Sequence, residues 1–567
     1  MQQPLFKPWV PNWLAILTIF CILFPSLVIF ALYYNSTLAV SEYYSMDAMD
    51  VQYSVVIMYA TVISYLALDS HLVKCFRIGS YTISGIFINT ITCLICAKTQ
   101  SCEIFMFCRF IQGGVCAYLC NICMNLAFTR FNARKARVMG YTIFYGSLMT
   151  CVPFSAIFAN WILNYFGVES VFYGFILFQI PGFILLFLTM NNRYLSRKFP
   201  LSQIDWTGFI IYTAIVSIAG YILVYGQQLE WLESPRICNL IIILVVITPV
   251  YVVSSLRKKR PLIQLRLLKN GKYRLALFLL TMFYISKGTT FFTYLYMQNV
   301  LGIDSVSMVT IWWFNIFGLI VGIFTVSKLL LKGVMPRTII KLGFFTLLIF
   351  HTQMFFQFAG TASEEQYYLP LFVQGVGTGS LFVPLIMNMV MSVPPKQAGL
   401  VAFLGIAARY TGFCLAIALI NFFQLYGTNR NYMDMATTYT LSNEIVNNTR
   451  EETIDKYIGA GYTYTDAARI ADESMTDAMK NESSIRAYMN YYSFIILALL
   501  LLLVYLSFDK LPSGKRIKER ARLHHLLVLT RSLWKKSNNQ YIKSYNCPTN
   551  TGSHSYNTDV SDKDACD

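Results

Sequence analysis

Three cationic side chains fall inside long apolar stretches of this 567-residue chain: Arg109, Lys287 and Arg409. A charge at the centre of a hydrocarbon layer costs at least ~2.5–3.5 kcal/mol, so each cation should face a cavity or a polar partner. In a cavity, a desolvated cation could exchange a proton or hold an anionic group. These three residues are therefore the first candidates for chemistry.

Each of these cations also has a structural interpretation. Arg109 lies about six residues into its stretch, roughly 9 Å along a helix, and could bond to backbone carbonyl groups of neighbouring helices. Lys287 lies near the middle of its stretch and could form an ion pair between helices. Arg409 could pack beside polar neighbours such as Tyr410 or Asn421. For all three cations the sequence leaves open both a functional role in a cavity and a structural role between helices.

Acidic residues are nearly absent from the same stretches. Asp69, Glu103 and Asp205 fall at stretch ends, where helix termini and water can satisfy a carboxylate. A site for lipophilic cations would usually carry a negative charge. We therefore expect a positive and aromatic cavity, whose small-molecule substrate is neutral or anionic and amphiphilic.

The elements that must position these residues are membrane-spanning helices. The chain is 56% hydrophobic, 16% aromatic and only 13% charged, far from the composition of a soluble domain. Fourteen stretches approach the roughly 20 apolar residues that a helix needs to cross a bilayer. They cover residues 13–33, 51–68, 79–97, 103–126, 138–160, 169–190, 206–225, 237–254, 273–296, 305–326, 337–358, 367–392, 398–425 and 489–508. The predicted fold class is an all-α integral membrane protein.

Lysine and arginine placement predicts the orientation. With both termini in the cytoplasm, the short outer loops hold only Lys98 and Arg236. The inner loops hold the basic clusters, which are Lys74 and Arg77; Arg130, Arg134, Lys135 and Arg137; Arg193, Arg197 and Lys198; residues 257–274; and Lys328, Lys332, Arg337 and Lys341. This asymmetry follows the positive-inside rule. The net charge of +17 is thus a topology signal, and no nucleic-acid partner is expected.

Enzymatic and metal-binding functions are disfavoured. Cys116, Cys120 and Cys123 have no histidine or carboxylate beside them, so packing accounts for them better than a metal site does. The five histidines form no His-x-x-x-His or His/Asp set, and no phosphate-binding Gly-x-x-x-x-Gly-Lys-Ser/Thr loop is present. No catalytic residue, metal or cofactor is predicted. A membrane-embedded enzyme and a receptor without transport activity are the alternatives.

The loops suggest a division of the chain. We predict a six-helix bundle over residues 1–190, an inserted helix pair over 191–272 and a second six-helix bundle over 273–508. Residues 427–488 form an outer segment, expected as helices that continue the last two spans outward; they could dock a periplasmic adaptor or act as a spacer. Residues 509–567 form a basic cytoplasmic tail that becomes Ser/Asn/Thr-rich, and its basic part should meet anionic headgroups.

Several motifs resemble those of the major facilitator superfamily, in particular its fourteen-span drug:proton antiporter branch. The similarity covers roughly residues 10–425 and the last helix. The motifs are Cys108-Arg-Phe-Ile-Gln-Gly-Gly114, Asp205-Trp-Thr-Gly, Tyr225-Gly-Gln-Gln-Leu-Glu-Trp231, Tyr294-Leu-Tyr-Met-Gln-Asn-Val-Leu-Gly302, Gln374-Gly-Val-Gly-Thr-Gly-Ser-Leu-Phe-Val-Pro384 and Arg409-Tyr-Thr-Gly412. The resemblance implies two six-helix bundles plus two inserted helices, and a secondary transporter that exports drug-like molecules by proton antiport. It also implies a bacterial inner membrane.

The resemblance also suggests roles for individual residues. The expected substrate and proton pathway comprises Arg109, Gln112, Lys287 and Arg409. The expected helix-packing and gating residues are Gly113, Gly114, Gly146, Pro153, Gly375, Gly377, Gly379 and Pro384. Two departures from the branch stand out. The first span has no carboxylate, and the loop from Asp69 to Arg77 keeps its charge without the usual glycines.

Overall fold

A computed structural model describes residues 5–33, 36–130, 136–194, 204–258, 261–394, 397, 400–438 and 444–508. Fourteen helices in these ranges are long and apolar enough to cross a membrane, which confirms the predicted number. A helix satisfies every backbone polar group within itself, as a hydrocarbon layer requires. The predicted basic tail, 509–567, lies outside the described residues, as does part of the basic loop around 131–135.

Seventeen α-helices are found in the described part of the chain. They are α1 (Asn12–Ala31), α2 (Thr37–Tyr44), α3 (Ala48–Leu72), α4 (Ile78–Lys98), α5 (Cys102–Arg130), α6 (Ala136–Tyr165), α7 (Val168–Thr189), α8 (Trp206–Tyr225), α9 (Pro235–Arg257), α10 (Gly271–Asn299), α11 (Ser305–Leu331), α12 (Pro336–Gln357), α13 (Tyr368–Met391), α14 (Val401–Asn421), α15 (Thr428–Thr438), α16 (Glu444–Gly459) and α17 (Tyr464–Phe508). Among them α2 and α16 are not candidate spans, and α15 continues the span that begins with α14.

Local sequence explains where several spans begin. Asp205 accepts a hydrogen bond from the backbone N–H of Gly208 at 2.9 Å, and so caps α8. Asp304 caps α11 by accepting from the N–H groups of Val306 and Ser307 at 3.1 and 3.4 Å. Proline occupies the first turn of α9 and of α12, where a missing N–H costs nothing.

Two groups of helices each form an apolar core. One cluster of buried residues is drawn from α1 to α7, and a second from α10 to α14 and α17 together with parts of α3, α6 and α8. The groups meet where α6 packs against α11 and α3 packs against α14. At one end of this interface the Thr142 and Ser327 hydroxyl groups are 2.7 Å apart. At the other, Asn421 donates to the Gln52 side chain at 3.2 Å.

The inserted helices α8 and α9 differ in their contacts. Helix α8 packs against α3 and α14, where Tyr410 donates to the Val216 carbonyl oxygen at 2.6 Å. Asn421 also donates to the carbonyl oxygen of Val224 at 3.0 Å. Helix α9 packs mainly on α8 and exposes most of its apolar side chains, among them Ile242, Val245 and Val246. Such a surface suits contact with lipid, because a helix surrounded by hydrocarbon needs no polar face.

Glycines bring two helix pairs, α3 with α5 and α11 with α13, into backbone contact. A Cβ atom on Gly113 of α5 would collide with the Met58 carbonyl oxygen of α3. One on Gly375 of α13 would collide with a carbonyl oxygen of α11, and one on Gly379 would lie 2.6 Å from another. A Cβ on Gly377 would meet the Leu347 side chain first, at 2.7 Å, and the Leu347 backbone nitrogen at 3.3 Å. Close approach of this kind is what small residues permit between membrane helices.

The remaining predicted packing residues are not crowded in the same way. A Cβ on Gly114 would lie 3.6 Å from Tyr65, and one on Gly146 would lie 3.5 Å from Ile323, both ordinary contacts. Pro153 and Pro384 lie inside α6 and α13. Each proline removes one backbone hydrogen bond from its helix and so permits local bending.

The described residues of the segment 427–488 are mostly helical. A π-helical turn, Phe422–Gly427, leads from α14 directly into α15, and α17 runs for 45 residues without a break through the last span. Helices α15 and α16 both pack against α17. Arg450 of α16 pairs with Asp472 of α17 at 2.6 Å. The prediction of helices that continue the last two spans is confirmed.

Asp69 corrects one expectation. It is fully buried at the end of α3, rather than solvated at a helix terminus. Its carboxylate accepts a hydrogen bond from the Tyr81 hydroxyl group at 2.8 Å and from the Asn121 amide group at 2.7 Å. Asp205 is nearer to the expectation, because it caps α8 and pairs with Lys258 at 2.6 Å. Side chains from α4 and α5 therefore replace water around Asp69.

Candidate functional site

A cavity of about 130 Å³ lies between the two groups of helices. Residues of α1, α3, α5, α6, α10 and α14 line it. Most are aliphatic or aromatic, including Phe30, Tyr59, Phe144 and Phe413. Within the described part of the chain its lining contains two cations and no carboxylate. The cavity is therefore apolar with a net positive charge.

Lys287 is one of the two cations. It lies on α10 and is half-buried, with its ammonium group 6.0 Å from the ring centre of Tyr284. The Cys151 thiol group of α6 is close enough to interact with it electrostatically. None of the ion pairs found among the described residues includes Lys287. The interhelical ion pair that the sequence left open is thus not seen, and the ammonium group faces the cavity.

Arg409 is the second cation, on α14, with 7% of its surface exposed. Its guanidinium carbon lies 5.8 Å from the ring centre of Tyr145 and 5.7 Å from that of Phe382, both within cation–π range. The Tyr284 hydroxyl group lies close both to this guanidinium group and to the Tyr59 hydroxyl group. Tyrosine and phenylalanine side chains therefore surround Arg409, whereas Tyr410 and Asn421, the neighbours that the sequence suggested, donate to carbonyl oxygens of α8.

Arg109 lies elsewhere. It is fully buried among α1, α4 and α5 and is not among the residues that line the cavity. It donates to the backbone carbonyl oxygens of Ile29 and Phe30, at 3.1 and 3.4 Å, and to the Gln112 side chain at 3.0 Å. The Tyr33 ring centre lies 4.6 Å from the guanidinium carbon. These contacts match the structural interpretation of Arg109.

Gln112 extends this network away from the cavity. It donates to the Thr92 hydroxyl group of α4 at 3.2 Å. A second glutamine, Gln374 of α13, accepts from Asn315 at 2.6 Å and donates to the Thr290 hydroxyl group. Thr290 does line the cavity. The structure thus brings Lys287 and Arg409 together and leaves Arg109 and Gln112 in the core of one helix group.

Sequence reasoning missed the tyrosines of the site. Tyr59, Tyr145 and Tyr284 are all buried inside spans and surround Arg409 or Lys287. A signal was available, because tyrosine is usually enriched at the membrane interfaces rather than in the middle of spans. A mid-span tyrosine needs a polar partner for its hydroxyl group.

Three thiol groups also face the cavity region. Cys116, Cys120 and Cys151 belong to its lining, and the first two sulfur atoms are 4.0 Å apart. No group of three or more metal-ligating side chains was found among the described residues. The thiols contribute small apolar surface to the wall.

Fourteen candidate spans form two groups around a central cavity in the described part of the chain, and the sequence comparison gives the family. The sequence profile of the Major Facilitator Superfamily matches residues 13–418. The chain belongs to this superfamily. Its class is therefore that of membrane transporters.

Individual relatives are distant. An uncharacterized MFS-type transporter of Bacillus subtilis (strain 168), YhcA, is 23% identical over 245 residues, which cover 42% of this chain and 44% of that protein. The match thus spans less than half the length of that relative. A POT family transporter in complex with 5-aminolevulinic acid has a TM-score of 0.57 at 13% identity, covering 89% of this chain and 99% of its own. Another, bound to a thioalcohol-conjugated peptide, has a TM-score of 0.55 at 14% identity, covering 86% and 95%. These structures share the fold.

Proposed function

We propose that this protein is a secondary active transporter that exports small amphiphilic, drug-like solutes, neutral or anionic, in exchange for protons. The charge of the cavity carries the proposal. Lys287 and Arg409 reach it, and no described lining residue is a carboxylate that would neutralise them. An anionic group would gain from both cations in a low-dielectric environment, whereas a cationic solute would be repelled.

The apolar part of the lining supports an amphiphilic substrate. Rings of Phe30, Phe144 and Phe413 form much of the wall, and burying a solute's apolar surface against them is favourable. A few polar groups among many apolar ones is the usual composition of a small-molecule site. The tyrosine hydroxyl groups of Tyr59 and Tyr284 could orient a neutral polar group.

The size of the cavity supports alternating access. Sites for drug-sized ligands usually measure roughly 300–1,000 Å³, and this cavity is smaller. Contacts close the interface at both ends, through Thr142 with Ser327 and through Asn421 with Gln52. Opening one end at a time would widen the cavity and admit a solute, which is how two-bundle transporters work.

The proposal also covers the direction of transport, the coupling ion and the membrane in which the protein lies. Membership of the fourteen-span drug:proton antiporter branch would imply export, proton exchange and a bacterial inner membrane with both termini cytoplasmic. The lysine and arginine bias of the loops supports that orientation. The outer helical segment, held together by Arg450 and Asp472, would then project from the outer face and could dock a periplasmic adaptor.

The deciding experiment compares Lys287→Met with wild type in proteoliposomes, using a lipophilic anion and a neutral amphiphile as solutes. Loss of one charge-assisted contact should weaken binding of the anion by roughly ten- to one-hundred-fold, since such contacts are worth about 1.5–3 kcal/mol. Transport of the neutral solute should change little. Lys332→Met, at an exposed position outside the cavity, is the matched control.

Two results would contradict the proposal. The first is transport of cationic dyes by the wild-type protein with no flux of anions or neutral compounds. The second is equal loss of anion transport in Lys287→Met and Lys332→Met. A protein that binds the anion but shows no counterflow in liposomes would instead be a receptor.

A further inference from the structure

We infer that a groove between α10 and α17 binds an anionic phospholipid of the inner leaflet, with its phosphate at Arg274 and its acyl chains along the two helices. The groove is separate from the central cavity, with which it shares no lining residue. Its walls are Gly271, Arg274, Leu275, Phe278 and Met282 on α10, and Ala498, Leu501, Leu502 and Tyr505 on α17.

The dimensions of the groove fit one leaflet. Between Gly271 and Met282 a helix rises about 16 Å at ~1.5 Å per residue. Half of a hydrocarbon core of ~30 Å is about 15 Å. The groove therefore begins at one membrane surface and ends near the bilayer centre, which is the length that one set of acyl chains covers.

The lining of the groove changes from apolar to basic along its length, as a phospholipid changes from acyl chains to phosphate. Its deep part is apolar, and Phe278 and Leu501 are 49% and 62% exposed. Its shallow end carries Arg274, whose guanidinium group lies over Gly271, with Nη2 3.8 Å from where a Cβ would be. Tyr505 stands at the same end of α17. Tyrosine favours the headgroup level of a membrane.

The charge at the shallow end favours an anionic headgroup. The exposed cations Arg266, Lys269 and Lys272 precede Arg274 along the chain. None of the groove's described lining residues is acidic, and none of the ion pairs among described residues includes Arg274. A guanidinium group binds phosphate through paired hydrogen bonds. Arg274 should therefore bind the headgroup more tightly than electrostatic attraction to the basic surface alone would.

The test uses photoactivatable phosphatidylglycerol and phosphatidylcholine analogues, each with the reactive group in an acyl chain, in phosphatidylcholine bilayers containing the full-length protein. Mass spectrometry locates the labelled residues. Phosphatidylglycerol should label Phe278, Met282 and Leu501 in preference to the lipid-facing side chains of α9, and phosphatidylcholine should not. Arg274→Gln should reduce this labelling about ten-fold, because one charge-assisted contact is worth roughly that factor in affinity.

Two further variants complete the test. Lys332→Gln removes an exposed cation outside the groove and should leave labelling unchanged. Ala498→Phe fills the groove while keeping Arg274, and should also reduce labelling, so the inference does not rest on one variant. Equal labelling by both lipids, equal labelling of α9, or an unaffected Arg274→Gln protein would overturn the assignment. Displacement of the lipid by a transported amphiphile would likewise overturn it, and would make the groove a solute entrance.

Discussion

The Arg109 guanidinium group donates to the backbone carbonyl oxygen of Ile29 at 3.1 Å, and so joins the N-terminal third of α5 to α1. In this contact a charged side chain donates a hydrogen bond to a backbone carbonyl oxygen in the core formed by α1 to α7. Lys287, by contrast, faces the central cavity from α10 and takes part in no ion pair among the described residues. Two cations that look alike in the sequence thus have different surroundings.

Replacing Arg109 by Met should lower thermal stability. The substitution strands the Ile29 and Phe30 carbonyl oxygens and the Gln112 side chain, at a cost on the order of 1–3 kcal/mol, partly offset because a buried charge is removed. Melting temperature in detergent and yield of folded protein should fall, while transport per folded molecule is retained. The proton-pathway role implied by the resemblance predicts the reverse, a stable protein with little flux.

Replacing Arg409 by Lys should not restore full function. Lysine keeps the charge, but it lacks the planar group that lies within 6 Å of the Tyr145 and Phe382 ring centres. Anion binding, measured as the thermal shift that a ligand produces, should be weaker in Arg409→Lys than in wild type and weakest in Arg409→Met. Equal shifts in wild type and Arg409→Lys would show that charge alone matters at this position.

The glycines of α5 and α13 should differ in their tolerance of alanine. Gly113→Ala and Gly375→Ala place a Cβ against a backbone carbonyl oxygen, and overpacking of this kind costs roughly 1–3 kcal/mol or more. Gly114→Ala and Gly146→Ala leave ordinary contacts and serve as neighbouring controls. Melting temperatures should separate the two pairs. If all four variants melt alike, the helix crossings are less tight than the structure shows.

Asp69 should respond differently to Asn and to Ala. Asp69→Ala removes the acceptor of the Asn121 amide group, at about 1–3 kcal/mol, and leaves the Tyr81 hydroxyl group with only the Tyr65 hydroxyl group, 3.1 Å away, as a partner. Asp69→Asn keeps one acceptor and should be less destabilised, and Tyr81→Phe in the Asp69→Ala background should recover part of the loss. Additive effects of Asp69→Ala and Tyr81→Phe on the melting temperature would indicate that the two side chains do not interact.

Orientation is open to a labelling test. A single cysteine at Glu452, in a variant without native cysteines, should react with an impermeant maleimide in intact cells, and one at Lys269 should react only after lysis. Both positions are exposed, so access through the membrane decides the result. The reason is the lysine and arginine excess of the loops on the Lys269 side. External labelling at Lys269 would reverse the proposed orientation.

The sequence by itself determined the spans, because length and hydropathy suffice to identify a helix that crosses hydrocarbon. Fourteen were expected and fourteen are found in the described ranges. The helices that extend the last two spans were also expected, since segments such as 449–455 and 465–473 have the pattern of amphipathic helices. The sequence likewise identified Lys287 and Arg409 as unusual, because a charge inside an apolar span is costly wherever it points.

Only the tertiary structure decided which face each span turns inward. In a soluble helix the polar face marks the solvent side, but in a membrane both lipid and neighbouring helices accept apolar side chains. The sequence therefore could not place Arg109 in the core of one helix group and Arg409 against Tyr145. Nor could it show that Tyr81 and Asn121, far from Asp69 in the chain, would enclose that carboxylate. These contacts join residues from different helices, so they exist only once the helices have packed.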